Sequence, residues 1–340
     1  MASNLYSGVA DPGGDPFGEQ SPTRFSLYKQ ILGGHFRFDS NSEALLDLVG
    51  AAYGGLPEHR LPLSLPELQI ELRLASRPPI PRAAEPAPVM MQSGGGMLCG
   101  VMDAMNYVVI APEQHRALIV ASEDMLDRPY HLRYELIEFA VFVLAARALG
   151  LVPLHGACVG QHGRGVLLLG GSGSGKSTLA LCSLLEGLDF LAEDAVFVQP
   201  QSLLATGVAN YLHVRADALG FVAEEPARRW ITEAPLIRRR SGVQKFEADL
   251  RQGGGKLAAN PLMLGSVVFV VSEAADDPDE LLVSLPKEGL AARLRADQAY
   301  AAGQPLWALF EKRVMQLGVY ELRRGGHPRA SVQALRRLLD

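Results

Sequence analysis

A glycine-rich octapeptide constrains this chain more than any other feature. It reads Gly170-Gly171-Ser172-Gly173-Ser174-Gly175-Lys176-Ser177 and matches the phosphate-loop pattern G-x-x-x-x-G-K-[ST] at every position. The apolar run at 165–169 predicts a strand before the loop, and the run at 177–185 predicts a helix after it. Because strand, loop and helix in this order are the context that the motif requires, we expect an α/β fold built around a nucleotide-binding loop.

Each part of the motif has a physical task. Glycines allow successive backbone N–H groups to point at phosphate oxygens, and the helix that follows adds the positive end of its dipole. The ammonium group of Lys176 reaches the β- and γ-phosphates, and the hydroxyl of Ser177 is a ligand for Mg²⁺. We therefore expect the octapeptide and Thr178 to bind a nucleoside triphosphate. The absence of an N-K-x-D sequence argues against a GTPase of the usual kind.

Two acidic residues, Glu193 and Asp194, follow the loop after one helix and one predicted strand. That strand returns them to the neighbourhood of Ser177, where Asp194 could hold Mg²⁺ directly or through water and the other acid could accept a proton. Adjacent residues of a strand point to opposite faces, so both acids reach one site only if the strand bends there. Upstream, His155 ends an apolar strand in front of Gly156. It could orient an acid or contact phosphate, although a core histidine explains the same pattern.

The chain as a whole has the composition of a globular protein. It has 340 residues, of which 48% are hydrophobic, and a formal net charge of −5. The lack of a basic excess argues against nucleic acid or an anionic membrane as a partner. Its most apolar stretch, 136–151, is shorter than the ~20 residues of a membrane-spanning helix. Three separated cysteines and no signal-peptide pattern lead us to expect a cytoplasmic protein.

Composition shifts divide the chain into three parts. Residues 1–24 are rich in glycine, proline, aspartate and serine, and we expect a flexible tail. Residues 25–122 predict a small α+β module with a mostly antiparallel sheet, which could recruit a substrate. Residues 123–340 predict the α/β domain that carries the phosphate loop, opening with one long helix over 129–150.

Four cations downstream are candidates for substrate binding. Arg238, Arg239, Arg240 and Lys245 lie in a stretch with few apolar residues, which predicts a loop. They could stabilise a γ-phosphate transition state or bind an acidic substrate. A solvated surface explains a run of like charges equally well.

Two runs of the sequence resemble the catalytic domain of the HPr kinase/phosphorylase family. They are LHGACVG (154–160) and GRGVLLLGGSGSGKSTLALCSLLEGLDFLAEDAVFV (163–198), and the closer likeness is to the shorter HPr-kinase-like proteins of bacteria. The resemblance is specific over about 129–200 and does not extend to 1–122. It implies a P-loop kinase domain of the HPr kinase/PEP carboxykinase-like type, a possible homo-oligomer, and ATP and Mg²⁺ as cofactors.

The resemblance also implies a role for individual residues. Lys176 would contact phosphate, Ser177 and Asp194 would hold Mg²⁺, and His155 would be the active-site histidine. Glu193 takes the place of the first acid, the general base toward a serine hydroxyl, which is most often aspartate in the family. The longer side chain moves the carboxylate by about 1–1.5 Å, a displacement that can cost ~10²-fold in rate.

The sequence therefore predicts an ATP-dependent kinase. Its acceptor would be a hydroxyl group, a serine of a small protein or of a ribosomally made peptide. HPr itself stays open as the acceptor, because the glycine-rich signature segment of the full enzymes is not evident here. Two alternatives remain: an ATP-binding sensor or regulatory protein without phosphotransfer, and a small-molecule kinase or NTPase.

Overall fold

A computed structural model of the chain describes residues 23–62, 66–76, 85–277 and 280–340. Most of the tail expected at 1–24 lies outside these residues. The described residues form a mixed α/β structure with three β-sheets. Among them, no helix combines the length and the apolar character needed to cross a bilayer.

The first sheet has seven strands and contains most of the predicted N-terminal module. Its strands are β1 (Phe25–Ile31), β2 (Gly34–Ser40), β3 (Glu67–Ala75), β4 (Met90–Gly94), β5 (Met97–Asp103), β6 (Asn106–Ala111) and β7 (Arg116–Ser122). They lie in the order β1-β2-β3-β7-β6-β5-β4. The pairings β2–β3 and β3–β7 are parallel, and the other four are antiparallel. Helix α1 (Glu43–Tyr53) packs its apolar face into the core beneath this sheet.

The helix expected over 129–150 is interrupted. It consists of α2 (Pro129–His131), a π-helical turn (Leu132–Ile137) and α3 (Glu138–Ala148). Apolar residues of the turn and of α3 lie in the same hydrophobic core as the first sheet. That core therefore continues past residue 122. Single π-helical turns inside α-helices occur frequently at functional sites.

The rest of the chain builds a nine-stranded and a three-stranded sheet. The strands are β8 (Val152–His155), β9 (Ala157–Gln161), β10 (Arg164–Leu169), β11 (Asp189–Ala192), β12 (Ala195–Gln199), β13 (Leu204–Gly207), β14 (Tyr211–Val214), β15 (Leu236–Arg238), β16 (Gln244–Asp249), β17 (Leu262–Ala274), β18 (Leu282–Ser284) and β19 (Gly318–Arg324). Strands β14, β16 and β15 form the small sheet, and the other nine form the large one. The helices are α4 (Lys176–Leu185), α5 (Glu225–Thr232), α6 (Leu290–Asp297), α7 (Ala299–Ala302), α8 (Trp307–Val314) and α9 (Pro328–Leu339).

Strand β10 lies in the middle of the large sheet and positions the phosphate loop. It pairs antiparallel with β9 on one side and parallel with β17 on the other, and β17 pairs parallel with β19. The C-terminal ends of β10, β17 and β19 therefore meet at one edge of the sheet. Ligands of open α/β sheets bind at this edge, outside the carboxyl ends of the parallel strands.

Candidate active site

The octapeptide forms the connection between β10 and α4. Gly170, Gly173 and Gly175 all have positive φ angles, of 132°, 83° and 102°. A side chain at Gly170 would also be blocked, because its Cβ would lie 2.4 Å from the carbonyl oxygen of Val270. These glycines let the backbone curl closely against the sheet and lead directly into the N-terminus of α4.

The side chain of Lys176 is buried within this loop. Its ammonium group donates hydrogen bonds to the carbonyl oxygens of Gly170 and Gly171, the second at 3.1 Å. Burial lowers the pKa of Lys176, and the charges of Asp297 and Asp194 oppose this effect. The positive charge is thus held at the loop by backbone carbonyls.

A cavity of about 580 Å³ opens over the loop and brings most of the candidate residues together. The candidates that line it are His155, Ser172, Gly173, Ser174, Gly175, Lys176, Ser177, Thr178, Glu193, Asp194, Arg239 and Lys245. Its volume is in the range of small-molecule binding sites. The other four candidates, Gly170, Gly171, Arg238 and Arg240, do not line it.

The two acids occupy a bend of the chain. Strand β11 ends at Ala192 and β12 begins at Ala195, with Glu193 and Asp194 between them. Both acids line the cavity. The chain therefore bends here, as it must for the two acids to serve one site. The side chain of Glu193 is buried, and it has neither a hydrogen bond nor an ion pair with any described residue.

Unlike the carboxylate of Glu193, the carboxylate of Asp194 has partners for both of its oxygens. Oδ1 lies 3.3 Å from Nδ1 of His155, and Oδ2 accepts hydrogen bonds from the Tyr134 hydroxyl and from Arg239, each at 3.0 Å. Burial alone would raise the pKa of Asp194, but the hydrogen bond from His155 and the charge of Arg239 hold it well below its usual range. Asp194 is therefore ionised at neutral pH and is a weak base.

The amide of Gln298 fixes the backbone of His155. The N–H of His155 donates to Oε1 of Gln298 at 2.8 Å, and Nε2 of Gln298 donates to the carbonyl of His155 at 2.8 Å. Nε2 of Gln298 also donates to Asp297 at 2.7 Å. Gln298 is 2% exposed and joins α6 to α7. No local pattern predicts this contact, because 143 positions separate the two residues.

The hydrogen bond to Asp194 also affects how readily the histidine takes up a proton. This bond raises the pKa of His155, and burial opposes the rise. The imidazole is consequently more easily protonated than a free histidine side chain, beside a carboxylate that is ionised.

Two tyrosines at the start of the interrupted helix complete the surroundings of Asp194. The guanidinium of Arg239 lies 4.7 Å from the ring centroid of Tyr134 and donates to the hydroxyl of Tyr130 at 3.3 Å. The two tyrosine rings stack with centroids 5.5 Å apart. Sequence reasoning missed both, although their i,i+4 spacing in a predicted helix places them on one face.

Each of the three arginines at 238–240 pairs with a different acidic side chain. The expected loop is the connection of a β-hairpin: Arg238 ends β15, Arg239 and Arg240 lie in the connection, and β16, which contains Lys245, starts at Gln244. Arg238 is exposed and lies 3.7 Å from Glu85, and Arg240 forms two hydrogen bonds with Glu135, at 2.7 and 2.6 Å. Of the triplet, only Arg239 faces the cavity, together with Lys245 from β16.

The donors around Ser177 suit a magnesium ion that is bound together with phosphate. No group of three or more histidine, cysteine, aspartate or glutamate side chains within the described ranges is arranged to hold a metal by itself. Mg²⁺ in nucleotide sites takes only one or two protein oxygens and shares the remaining positions with phosphates and water. The hydroxyl of Ser177 and the carboxylates of Glu193 and Asp194 face one cavity, so they fit this requirement.

Comparison with known proteins adds little to this geometry. No protein-family model matches the chain, and no curated protein matches it. Among solved structures, the chain is similar to the Hpr(Ser) kinase/phosphatase from Coxiella burnetii, with 13% sequence identity and a TM-score of 0.28, over 54% of this chain and 88% of that one. This is a weak structural neighbour, and the assignment of a function rests on the chain's own residues.

Proposed function

We propose that the protein is an ATP-dependent kinase that transfers the γ-phosphate to a hydroxyl group. The observation that carries this proposal is the bend at Glu193 and Asp194, which turns two carboxylates into the cavity of a complete phosphate loop. Binding of ATP alone does not require a second acid beside the first. The proposed acceptor is a serine of a small protein or of a ribosomally made peptide, and this choice rests on the resemblance of 154–160 and 163–198.

In the proposed reaction, the loop and its lysine supply most of the electrostatic stabilisation. Backbone N–H groups of the loop, the N-terminus of α4 and Lys176 face the phosphates and offset their charge. Ser177 and Asp194 would hold Mg²⁺, which neutralises phosphate charge when bound. Because Arg239 already occupies Oδ2 of Asp194, contact of this acid with the metal through water is the arrangement that needs the least rearrangement.

The proton of the acceptor goes to Glu193. Asp194 is a poor proton acceptor, since its pKa is held far below the working pH, whereas the Glu193 carboxylate has no competing partner among the described residues. The acceptor oxygen forms a bond to the γ-phosphorus while the bond between that phosphorus and the bridging oxygen of ADP breaks. Arg239 and Lys245 stand where cations can stabilise the charge on the transferred group.

Label transfer from γ-labelled ATP tests the proposal. The full chain, with Mg²⁺, is incubated with HPr and with small serine-containing peptides encoded beside its gene. Lys176→Ala and Asp194→Ala should abolish transfer. Glu193→Gln should keep ATP binding and lose about 10²–10⁴-fold in kcat, the usual contribution of a general base. Lys312→Ala and Asp47→Asn change exposed residues outside the cavity and serve as matched controls.

The outcomes separate the proposed function from its alternatives. Label on serine of one acceptor supports the kinase and identifies its substrate. Transfer that persists in Asp194→Ala contradicts the site as described. Tight ATP binding without label on any acceptor favours a sensor, and label released only as inorganic phosphate favours an NTPase.

A further inference from the structure

The cavity extends well beyond the acids and the loop. Glu193 and Asp194 follow β11, which lies on the β9 side of β10, and Asp194 contacts His155 at the end of β8. On the other side of β10, β17 and β19 end at the cavity, and residues 322–326, which are the end of β19 and the two glycines after it, line it. A triphosphate whose γ-phosphate lies at the acids must direct its other end away from them, which is toward β19.

An aromatic side chain stands at that far end. Phe221 closes a short 3₁₀ helix, Ala216–Phe221, and lines the cavity while packing partly against the core of the large sheet. Its ring meets that of His327, the N-cap of α9, with centroids 5.5 Å apart and planes at 85°. This edge-to-face contact places Phe221 beside the turn that follows β19.

Hydrogen bonds from α5 fix the backbone of the segment that carries Phe221. The guanidinium of Arg228 on α5 donates to the carbonyl of Leu219 at 2.9 Å and to that of Val222 at 3.5 Å. Val222 itself is buried. A braced aromatic ring on a cavity wall is a surface on which a flat ring can stack at small conformational cost.

The rim around this ring is polar. Arg215 and Asp217 from the same segment and Arg324 from the end of β19 line the cavity, and Gly325 and Gly326 leave the backbone of the turn accessible there. An apolar platform with a few polar groups around it matches the chemistry of a nucleobase, which has a flat face and hydrogen-bonding edges.

We propose that Phe221 and residues 322–326, at the end of β19 and directly after it, form the nucleobase subsite, with the base stacked on the Phe221 ring. This inference rests on the proposed nucleotide-binding function and assigns the orientation of the nucleotide: phosphates on the loop, base toward β19, acceptor toward β8 and β11. The subsite would also let the protein distinguish a nucleoside triphosphate from inorganic polyphosphate, because only the nucleotide has a base that reaches Phe221.

Isothermal titration of the full chain with two ligands tests the subsite. The ligands are ATP and inorganic tripolyphosphate, each with Mg²⁺, because the second presents the phosphates without a base. Phe221→Ala should weaken ATP binding about tenfold, within the range for loss of stacking between a base and an aromatic ring. Binding of tripolyphosphate should not change. Phe221→Tyr keeps the aromatic face and should bind ATP as the wild type does.

The matched control is Phe25→Ala, which removes a surface phenylalanine of β1 far from the cavity and should alter neither affinity. Equal losses for ATP and tripolyphosphate in Phe221→Ala would overturn the subsite, since the residue would then only support the loop. Unchanged ATP binding would overturn it as well, while leaving the nucleotide site intact. A wild-type protein that binds neither ligand would refute the proposed function itself.

Discussion

At the scale of single residues, the active site depends on the Gln298 amide, which we expect to act by positioning. Both of its hydrogen bonds to His155 are 2.8 Å long, and its side chain is buried. Gln298→Glu keeps the acceptor for the His155 N–H but places a second carboxylate oxygen against the His155 carbonyl. We expect kcat to fall about 10- to 100-fold, the cost of misplacing a catalytic group by ~1 Å, with the KM for ATP unchanged.

Steady-state kinetics of Gln298→Glu and Gln298→Ala across pH measure this effect. The pH profile of kcat should shift as His155 moves relative to Asp194, which a loss of stability alone would not produce. Gln316→Ala, an exposed glutamine on the surface, is the control. A rise in KM with unchanged kcat would contradict a positioning role for Gln298.

At the scale of elements, the π-helical turn joins the first core to the small sheet through a buried arginine. Arg133 donates to Glu138 at 3.0 Å and pairs with Glu247 of β16, which also lies 3.2 Å from His213. Arg133→Met would leave two buried carboxylates without their cation. We expect the free energy of unfolding to fall by about 3–5 kcal/mol, the usual cost of breaking a buried ion pair from one side.

Urea denaturation followed by circular dichroism checks this value. Arg147→Met changes an exposed arginine of α3 and should remain within about 0.5 kcal/mol of the wild type. Equal stability of the two variants would mean that the carboxylates of Glu138 and Glu247 do not depend on Arg133.

The elements that the sequence predicted well are those with local causes. The strand, loop and helix at 164–185 follow from an apolar run, glycines and a second apolar run, all within a short stretch. The separation of β8 from β9 at Gly156, by contrast, depends on distant contacts. A Cβ at Gly156 would lie 2.6 Å from the carbonyl oxygen of Leu168, and its N–H donates to the carbonyl of Asp194 at 3.2 Å. Neither contact is visible in an apolar run.

The candidate site shows the same contrast between residues with local patterns and residues with distant contacts. The acids, His155 and the loop were predicted because each lies in a short pattern with its own chemistry, and the structure gathers them around one cavity. Tyr134 and Gln298 were not predicted, because a tyrosine in a helix or a glutamine between helices has no distinctive local pattern. Their contacts with Asp194 and His155 span 60 and 143 positions and arise only from the tertiary fold.

At the scale of the whole molecule, His59 connects the seven-stranded sheet to the nine-stranded one, and its carbonyl oxygen accepts a hydrogen bond from Gln30 of β1 at 3.0 Å. It lies between α1 and β3, and its ring bridges two parts of the second half of the chain. Nδ1 lies 2.7 Å from the hydroxyl of Thr206 on β13, and Nε2 lies 2.9 Å from the carbonyl oxygen of Ala258. Since a carbonyl can only accept, Nε2 carries the proton and Nδ1 accepts from Thr206 in the neutral ring.

This bridge should make the stability of the protein depend on pH. Burial lowers the pKa of His59, and the hydrogen bond to Ala258 offsets that effect only in part. The unfolded chain therefore takes up a proton on His59 at a higher pH than the folded protein does. Between the ordinary histidine pKa of about 6.5 and the lowered value, protonation of His59 favours unfolding, so its contribution to stability falls as the pH falls through this window and is constant above it.

Urea denaturation at several pH values between about 7.5 and 5 measures the slope. His59→Gln removes the titration, so its free energy of unfolding should fall less steeply than that of the wild type over the acidic part of the range. His35→Gln alters an exposed histidine of β2 and should keep the wild-type slope. If His59→Gln also kept that slope, the pH dependence would come from other groups, and the bridge between the sheets would not be sensitive to acid.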